Sequence, residues 1–418
     1  MLDIKFIREN IELVRNGVVA KKGSPKLVDD FLALDEEWRS LTNQSEEIRA
    51  EQKKLIGKES IEEAKKLKEQ FRGLEEKLGE LALKRDGLLL EFPNLPFADV
   101  PVGKDEKENR LVREVGEKIK FDFEPRDYLT IAEKLDLIDV SRAGKVTGSR
   151  FGYLKNEAVL LEFALVDLAM KTLIQKGFSP IIPPVMVRKE MMIGMGKQKF
   201  LGGEDAFHLA DDNLYLVGSS EHTIGPYHSG EILNENEVPK RYVGFSTCFR
   251  REAGSYGRDT KGILRVHQFD KVEMFSFVKP EDSEEEHRFL LSIQEELLNK
   301  LKLPYRVLEL CTGDMDFNGA RQFDIEIWMP GQPSEDESGV GIYRETNSTT
   351  NTTDYQARGI DCKIKRENGK MDYVHMLNGT AFAMGRMIIA IIENYQTKEG
   401  KILVPEILQN YVGKKEIG

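Results

Sequence analysis

The chain has few cysteines, few histidines, no long apolar run and no excess of positive charge. Its 418 residues include three cysteines, Cys248, Cys311 and Cys362, far apart and without a CxxC pair. That usage excludes a disulfide scaffold, argues against a zinc knuckle and fits the reducing cytoplasm. No apolar stretch reaches the roughly 18 residues of a membrane span, so no membrane contact is expected. The N-terminal segment MLDIKFIRENIELV carries acidic residues throughout and lacks the apolar core of a secretory signal. There is no GxGxxG opening a helix and no P-loop, so any nucleotide must be held by another scaffold. The six histidines are scattered, and no Ser-His-Asp triad is expected. The net charge of −11 means that any nucleic-acid contact needs a local basic surface.

The length suggests two domains. Residues 1–26 read as a short helical lead-in that breaks at Gly23-Ser24-Pro25. Leu27, Phe31, Leu34, Trp38, Leu41, Ser45, Ile48, Gln52 and Leu55 then alternate in four- and three-residue steps. That is the seam of a coiled coil, with Ser45 and Gln52 as polar breaks. A turn is expected near Gly57-Lys58-Glu59-Ser60. The seam resumes at Leu67, Phe71, Leu74, Leu78, Leu81 and Leu88, with Arg85 inside it. Two heptad helices joined by so short a turn must fold back antiparallel. At roughly 30 residues each, such a hairpin is about 45 Å long. Coiled coils most often join subunits, but this one is basic in its outer half. Lys53, Lys54, Lys58, Lys65, Lys66 and Lys68 face only three glutamates there. A rigid basic rod suits phosphate contacts; a solvated charged surface is the plainer alternative.

The hairpin, about residues 27–91, ends at a linker marked by Pro93, Pro96, Pro101 and Gly103. We therefore place one domain at 1–103 and a second at 104–418. In the second, Arg241–Phe249, Lys271–Val278 and Arg321–Trp328 read as strands. Ala158–Gln175, Pro280–Leu301 and Ala383–Glu393 read as helices. The two types do not alternate regularly, which favours an α+β fold with an antiparallel sheet.

One run stands out for its chemistry. Residues 248–269, CFRREAGSYGRDTKGILRVHQF, join two strand-like segments by a loop. Gly254, Gly257 and Gly262 let it turn tightly, while Arg250, Arg251, Arg258 and Arg265 present guanidinium forks suited to phosphate or carboxylate. Arg386 follows small residues on a helix-compatible segment, Asn378 to Ile389, and would sit near that helix's exposed edge. Singly, each arginine would be an ordinary surface residue; together they are not.

The FRREAG…GRDTKGILRVHQFDKVE run resembles motif 2 (about 241–273) of class II aminoacyl-tRNA synthetases, in the form seen in seryl-tRNA synthetases. LNGTAFAMGRMIIAIIENYQ…VPEIL resembles motif 3 (about 377–408). KGFSPIIPPV resembles the end of motif 1 (about 158–186), with Pro184 as its proline. PVGKD at 101–105 and GSRFGYL at 148–154 match the same family, so the likeness spans the chain. It implies a class II antiparallel sheet flanked by helices. It also implies activation of L-serine with ATP, then transfer to the 3′ end of serine tRNA, with selenocysteine tRNA as a further substrate to consider. The helical hairpin becomes the tRNA-binding arm, and a homodimer joined through motif 1 is implied.

The resemblance also assigns roles. Arg250 would bridge the α-phosphate and the serine carboxylate, Glu252 would meet the adenine edge, and Phe269 would stack on adenine. Arg265 would lie near the phosphates and Arg386 would hold the γ-phosphate. Glu345-Thr346-Asn347-Ser348 stands where the family has a metal-and-ATP segment, usually Glu-Val-Ser-Ser. Glu345 and Ser348 match as Mg²⁺ ligands, while Thr346 and Asn347 depart. Ser219-Ser220-Glu221 aligns with the family's Thr-x-Glu serine loop. Glu273 matches the ammonium contact, Thr380 the hydroxyl contact with Asn378 beside it, and Asn351 a pocket-side asparagine. The alternatives are a ligase loading a carrier protein, expected to lack the arm, and a catalytically silent binding protein, expected to have gaps in motifs 2 and 3.

Overall fold

The structure, a computed structural model, describes residues 1–54, 61–202, 205–253, 261–333 and 341–418. Leu55, Lys58 and the expected turn at 57–60 lie outside the described residues, as do Gly254, Gly257 and Arg258. The chain divides into two compact units, Met1–Leu95 and Pro96–Gly418.

The first unit contains α1 (Ile4–Glu9), α2 (Ile11–Ala20), α3 (Lys26–Lys54) and α4 (Ile61–Leu89). Helices α3 and α4 run antiparallel: Arg49 meets Phe71 and Glu75, while Arg85 meets Trp38 and Asp35. Every described seam position is buried or half-buried, and most residues between them are exposed. The hairpin root is apolar, with Ile7, Val14, Val18, Phe31, Leu89 and Phe92 in one cluster and Phe31 edge-on to Phe92. Arg85, a break in the heptad pattern, is an anchor in the fold. Its guanidinium lies 4.4 Å from the Trp38 ring centroid and 3.7 Å from Asp35, which Arg8 also reaches at 3.0 Å. Asp35 is buried, so both arginines compensate a charge that could not stand alone there.

The second unit is built on eight strands: β1 (Arg110–Val115), β2 (Ser179–Ile181), β3 (Lys240–Phe249), β4 (Gln268–Val278), β5 (Tyr305–Glu309), β6 (Arg321–Met329), β7 (Ile342–Asn351) and β8 (His375–Ala383). Their spatial order is β1-β5-β6-β7-β8-β4-β3-β2. All neighbours are antiparallel except β2, which adds parallel to β3 at one edge. That parallel edge was not foreseen, because Ser179–Ile181 is only three residues long. The main helices are α5 (Glu157–Gln175), α6 (Ser283–Lys300) and α7 (Met384–Asn394). Two expected helix starts shift: Pro280–Asp282 is a 3-10 turn, and Ala383 ends a strand.

Strand alternation divides the sheet into a core face and an open face. On β6, Ile325, Ile327 and Met329 join α6 residues Leu290, Ile293 and Leu297 and α7 residues Ile388 and Ile391 in one buried cluster. The intervening Gln322, Asp324, Glu326 and Trp328 line the opposite side, which forms a cleft.

Candidate active site

The cleft has a volume of about 1310 Å³. Arg250 enters it from just beyond β3. Its backbone N–H bonds His267 O at 3.0 Å across the strand pair, and its Nε donates to Gly218 O at 3.0 Å. This tether leaves the terminal nitrogens for the cleft, with the guanidinium 5.5 Å from the Phe269 ring centroid. Two residues on, Glu252 adopts a left-handed backbone (φ 52°), an uncommon choice for a side chain of its size. Arg150 Nη1 steadies it by donating to Glu252 O at 2.9 Å, and Arg265 Nη1 reaches its carboxylate at 3.2 Å. The root of the arginine-rich loop is pinned from outside: Tyr128 Oη accepts from Ile263 N at 2.9 Å and donates to Lys261 O at 3.3 Å.

Arg386 lies in the first turn of α7. Its Nη1 reaches Glu345 O at 2.7 Å and the Glu345 carboxylate at 3.3 Å. Burial opposes its charge, yet Glu345, followed by Glu252 and Asp324, holds its pKa above the ordinary arginine value. Its side chain is about a quarter exposed (24%), so it is more enclosed than an edge position would suggest. Across β6 and β7, Asp324 pairs in register with Ser348, and burial, then the Glu345 carboxylate, pushes Asp324 well above the usual carboxylate range. Two acids crowded in this way call for a cation. Glu345 and Ser348, with phosphate oxygens completing the shell, fit Mg²⁺, which seldom uses an all-protein cage. Among the described residues no group of three or more His, Cys, Asp or Glu side chains is placed to bind a metal.

The other end of the cleft is a small charged pocket. Thr380 Oγ1 donates to Glu273 Oε2 at 3.2 Å, and Lys271 Nζ lies 2.6 Å from the same oxygen. Burial raises the Glu273 pKa, with Lys271 working against the shift. Glu221 takes Gln356 Nε2 at 3.0 Å and Lys197 Nζ at 3.1 Å on one oxygen. His222, buried beside it, accepts from Gly218 N on Nδ1 at 3.1 Å; burial and then Lys197, Arg250 and Lys271 drive its pKa well down, so it is neutral.

Ser219, Glu221, Arg250, Glu252, Arg265, Glu273, Glu345, Ser348, Asn378, Thr380 and Arg386 all line this one cleft. Five expected site residues do not line it. Thr346 Oγ1 and Asn347 bond to each other and to core backbone, Asn347 Nδ2 reaching Ala381 O at 2.7 Å. Asn351 bonds Ser283 O and Thr353 N. Ser220 is fully buried, its Oγ among the buried atoms without a partner. Phe269 lies half-buried on β4 behind Arg250. Physically, a β-bulge at Thr346, where β7 carries one residue more than β6, turns Thr346 and Asn347 inward beside the outward Glu345 and Ser348. Sequence reasoning missed Lys197, Lys271, Gln356 and Asp324. Lys271 was findable, since period two puts it on the same strand face as Glu273.

An antiparallel sheet bearing one arginine beyond its motif 2 strand and another on its motif 3 helix defines a class II aminoacyl-tRNA synthetase. Residues 207–395 match the tRNA synthetase class II core domain (G, H, P, S and T), and residues 1–96 match the seryl-tRNA synthetase N-terminal domain. The chain is 44% identical to serine–tRNA ligase of Dictyoglomus turgidum over 100% of its own length and 99% of the relative's. It is also 44% identical to that of Acidothermus cellulolyticus, over 99% and 98%. The crystal structure of seryl-tRNA synthetase from Pyrococcus horikoshii complexed with ATP superposes with a TM-score of 0.93 at 39% identity, covering 100% of this chain and 99% of that one. A cytoplasmic serine–tRNA ligase from Naegleria fowleri in complex with AMP gives 0.91 at 33% identity, covering 100% and 98%. The chain belongs to the seryl-tRNA synthetase family.

Proposed function

We infer that this protein activates L-serine with ATP, forming seryl-adenylate and pyrophosphate, and then esterifies serine to the 3′ end of serine tRNA. One observation carries this reading: Arg250, Arg386 and the Glu273–Thr380 pocket share a single cleft. In the first step a serine carboxylate oxygen attacks the α-phosphorus and the bond to the β-phosphate breaks. In the second, a terminal ribose hydroxyl attacks the acyl carbonyl and AMP leaves. Neither step needs a protein nucleophile; the work is positioning and charge stabilisation.

We assign Arg250, tethered at Gly218, to the serine carboxylate and the α-phosphate. Arg386 takes the γ-phosphate, and Arg265 and Glu252 open their ion pair to receive phosphate and the adenine edge. Phe269 supports the adenine ring. Mg²⁺, held by Glu345 and Ser348, would neutralise phosphate charge. The ammonium of serine goes to the Glu221–Glu273 end, where Thr380 and Glu273 form a donor–acceptor pair for its hydroxyl. A site built to bond a hydroxyl rejects alanine strongly, because its own polar groups would be left unmatched.

We assign the α3–α4 hairpin to tRNA binding, through Lys53, Lys54, Lys65, Lys66 and Lys68, all exposed; Lys58 lies outside the described residues. A homodimer is supported by α5, where Leu160 (40%), Phe163 (50%) and Ile174 (48%) leave one apolar stripe exposed, and by Ile182 at 83%. The described helices include none long and apolar enough to cross a membrane, and three unpaired cysteine thiols favour a cytoplasmic setting. A carrier-protein ligase and a silent binding protein are set aside, since the chain matches serine–tRNA ligases from end to end. The test is amino-acid-dependent exchange of pyrophosphate into ATP with serine, threonine and alanine. Exchange with serine alone is expected; no exchange with serine overturns the assignment.

A further inference from the structure

Lys197 presents a puzzle in charge. It sits between the helices Lys189–Gly194 and Gln198–Gly202, with its backbone N–H on Met192 O at 2.9 Å. Its side chain is only 15% exposed and lines the cleft beside Arg250, Glu221 and Glu273. A pocket that must accept the ammonium of an amino acid thus already holds a buried ammonium. Stability alone is a poor reason for it, since buried ion pairs are often no better than apolar packing.

The neighbours supply a reason. Glu221 and Glu273 line the same cleft, where Glu221 adds to the upward pKa shift of Glu273, and each has its own lysine: Lys197 on Glu221 at 3.1 Å, Lys271 on Glu273 at 2.6 Å. With one lysine fewer, two carboxylates in a buried site compete for charge and ionise less readily together. Gln356 completes the hold on Glu221, and Ser219 Oγ accepts from Glu221 N at 3.2 Å, fixing its backbone. We propose that Lys197 is a positioning residue of the amino-acid pocket, holding the Glu221 carboxylate in place and charged for the ammonium of the incoming serine. This deepens the serine-activation reading above and rests on it.

The surrounding charges agree. Burial works against ionised Glu221, but Lys197 first, then Gln356 and Lys271, keeps its pKa below the usual glutamate value. Burial likewise opposes the charge on Lys197, yet Glu221 and then Asp316 raise its pKa, with Arg250 opposing. Glu273 faces Glu221 from β4, and the adjacent His222 is neutral. Removing Lys197 leaves Lys271 as the nearest lysine to two buried carboxylates, which makes a proton on one of them easier to hold.

Full-length Lys197→Met and Lys197→Arg are compared with the unaltered chain in serine-dependent pyrophosphate exchange, between about pH 6.5 and about pH 9. For Lys197→Met the serine KM rises about tenfold or more at the lower pH and returns toward the parent value at the higher, while kcat and the ATP KM stay within about threefold. Lys197→Arg restores the parent profile. The proposal is overturned if folded Lys197→Met keeps the parent serine KM across the range, or if its defect is in kcat and independent of pH. Should Lys197→Met fail to fold, Lys197→Gln decides by the same measure: a serine KM raised at the lower pH and recovering at the higher supports the proposal, and a parent-like KM across the range overturns it. Lack of serine exchange by the parent chain would instead sink the functional assignment.

Discussion

Replacing Arg250 with alanine tests the charge-stabilisation account most directly. Its Nε is committed to Gly218 O at 3.0 Å, which leaves both terminal nitrogens for substrate. A hydrogen bond to a charged group contributes about 1.5–3 kcal/mol, so losing two removes roughly 3–6 kcal/mol. At about 1.4 kcal/mol per factor of ten, kcat/KM for serine-dependent pyrophosphate exchange should fall roughly 10²–10⁴-fold. The loss should sit mainly in kcat, because phosphate charge is greatest in the transition state. Arg250→Lys keeps the charge but loses both the fork and the Gly218 tether, so it should recover only part of the rate. The folded state depends little on this side chain: it is half-buried and makes one side-chain bond to a protein carbonyl. A thermal melt should therefore change by no more than the loss of about 1 kcal/mol. If the alanine variant is folded and retains kcat/KM within about threefold, the assignment of Arg250 is wrong.

Shortening the arm separates the two half-reactions. Replacing residues 43–79 by a short loop leaves Asp35, Trp38, Arg85 and the apolar root in place, so serine exchange should persist while tRNA charging, followed by acylation of labelled serine tRNA, drops at least about 100-fold. On α5, Leu160→Glu with Phe163→Glu sets like charges on the exposed stripe, and light scattering should report a monomer; an unchanged dimer would remove that surface from the interface. Glu162 is pushed up to about 8, by burial first and then by Asp270. A carboxyl whose folded pKa exceeds its unfolded value contributes stability that is full below about pH 4.5 and is lost as pH rises through about 8. Glu162→Gln keeps a donor for Asp270 without the titration. It should match the parent near about pH 5 and be more stable by roughly 4 kcal/mol near about pH 9 in chemical denaturation; equal pH slopes for the two proteins would refute this.

The heptad seam shows what composition and spacing carry without help. Its described members, from Leu27 to Leu88, occupy the less exposed stripes of α3 and α4, because in an isolated two-helix hairpin the pattern and the packing are one local fact. Arg85 keeps the seam position that the spacing gives it, but its role there is not legible from spacing. Its partners Asp35 and Trp38 lie on the facing helix, and Arg8, which shares Asp35, lies outside the hairpin, so no window along α4 reveals them.

The active site divides along the same physical line. Arg250, Glu252 and Arg265 stand out in the sequence because guanidinium forks and glycines crowd one loop, and Arg386, on a separate helix, gains its meaning beside them rather than singly. Lys197, Gln356 and Asp324 come from three separate stretches, and each is unremarkable until the sheet brings it within a few ångströms of Glu221 or Glu345. Thr346, Asn347 and Asn351 fail in the opposite direction: their types suit a polar pocket, but the bulge at Thr346 and the course of β7 spend them on core backbone. The residues assigned to phosphate are therefore set by type and are legible early. Those that fix the charge of the serine pocket are set by cross-chain neighbours, so a substitution at Lys197 should alter amino-acid affinity while every recognisable motif stays intact.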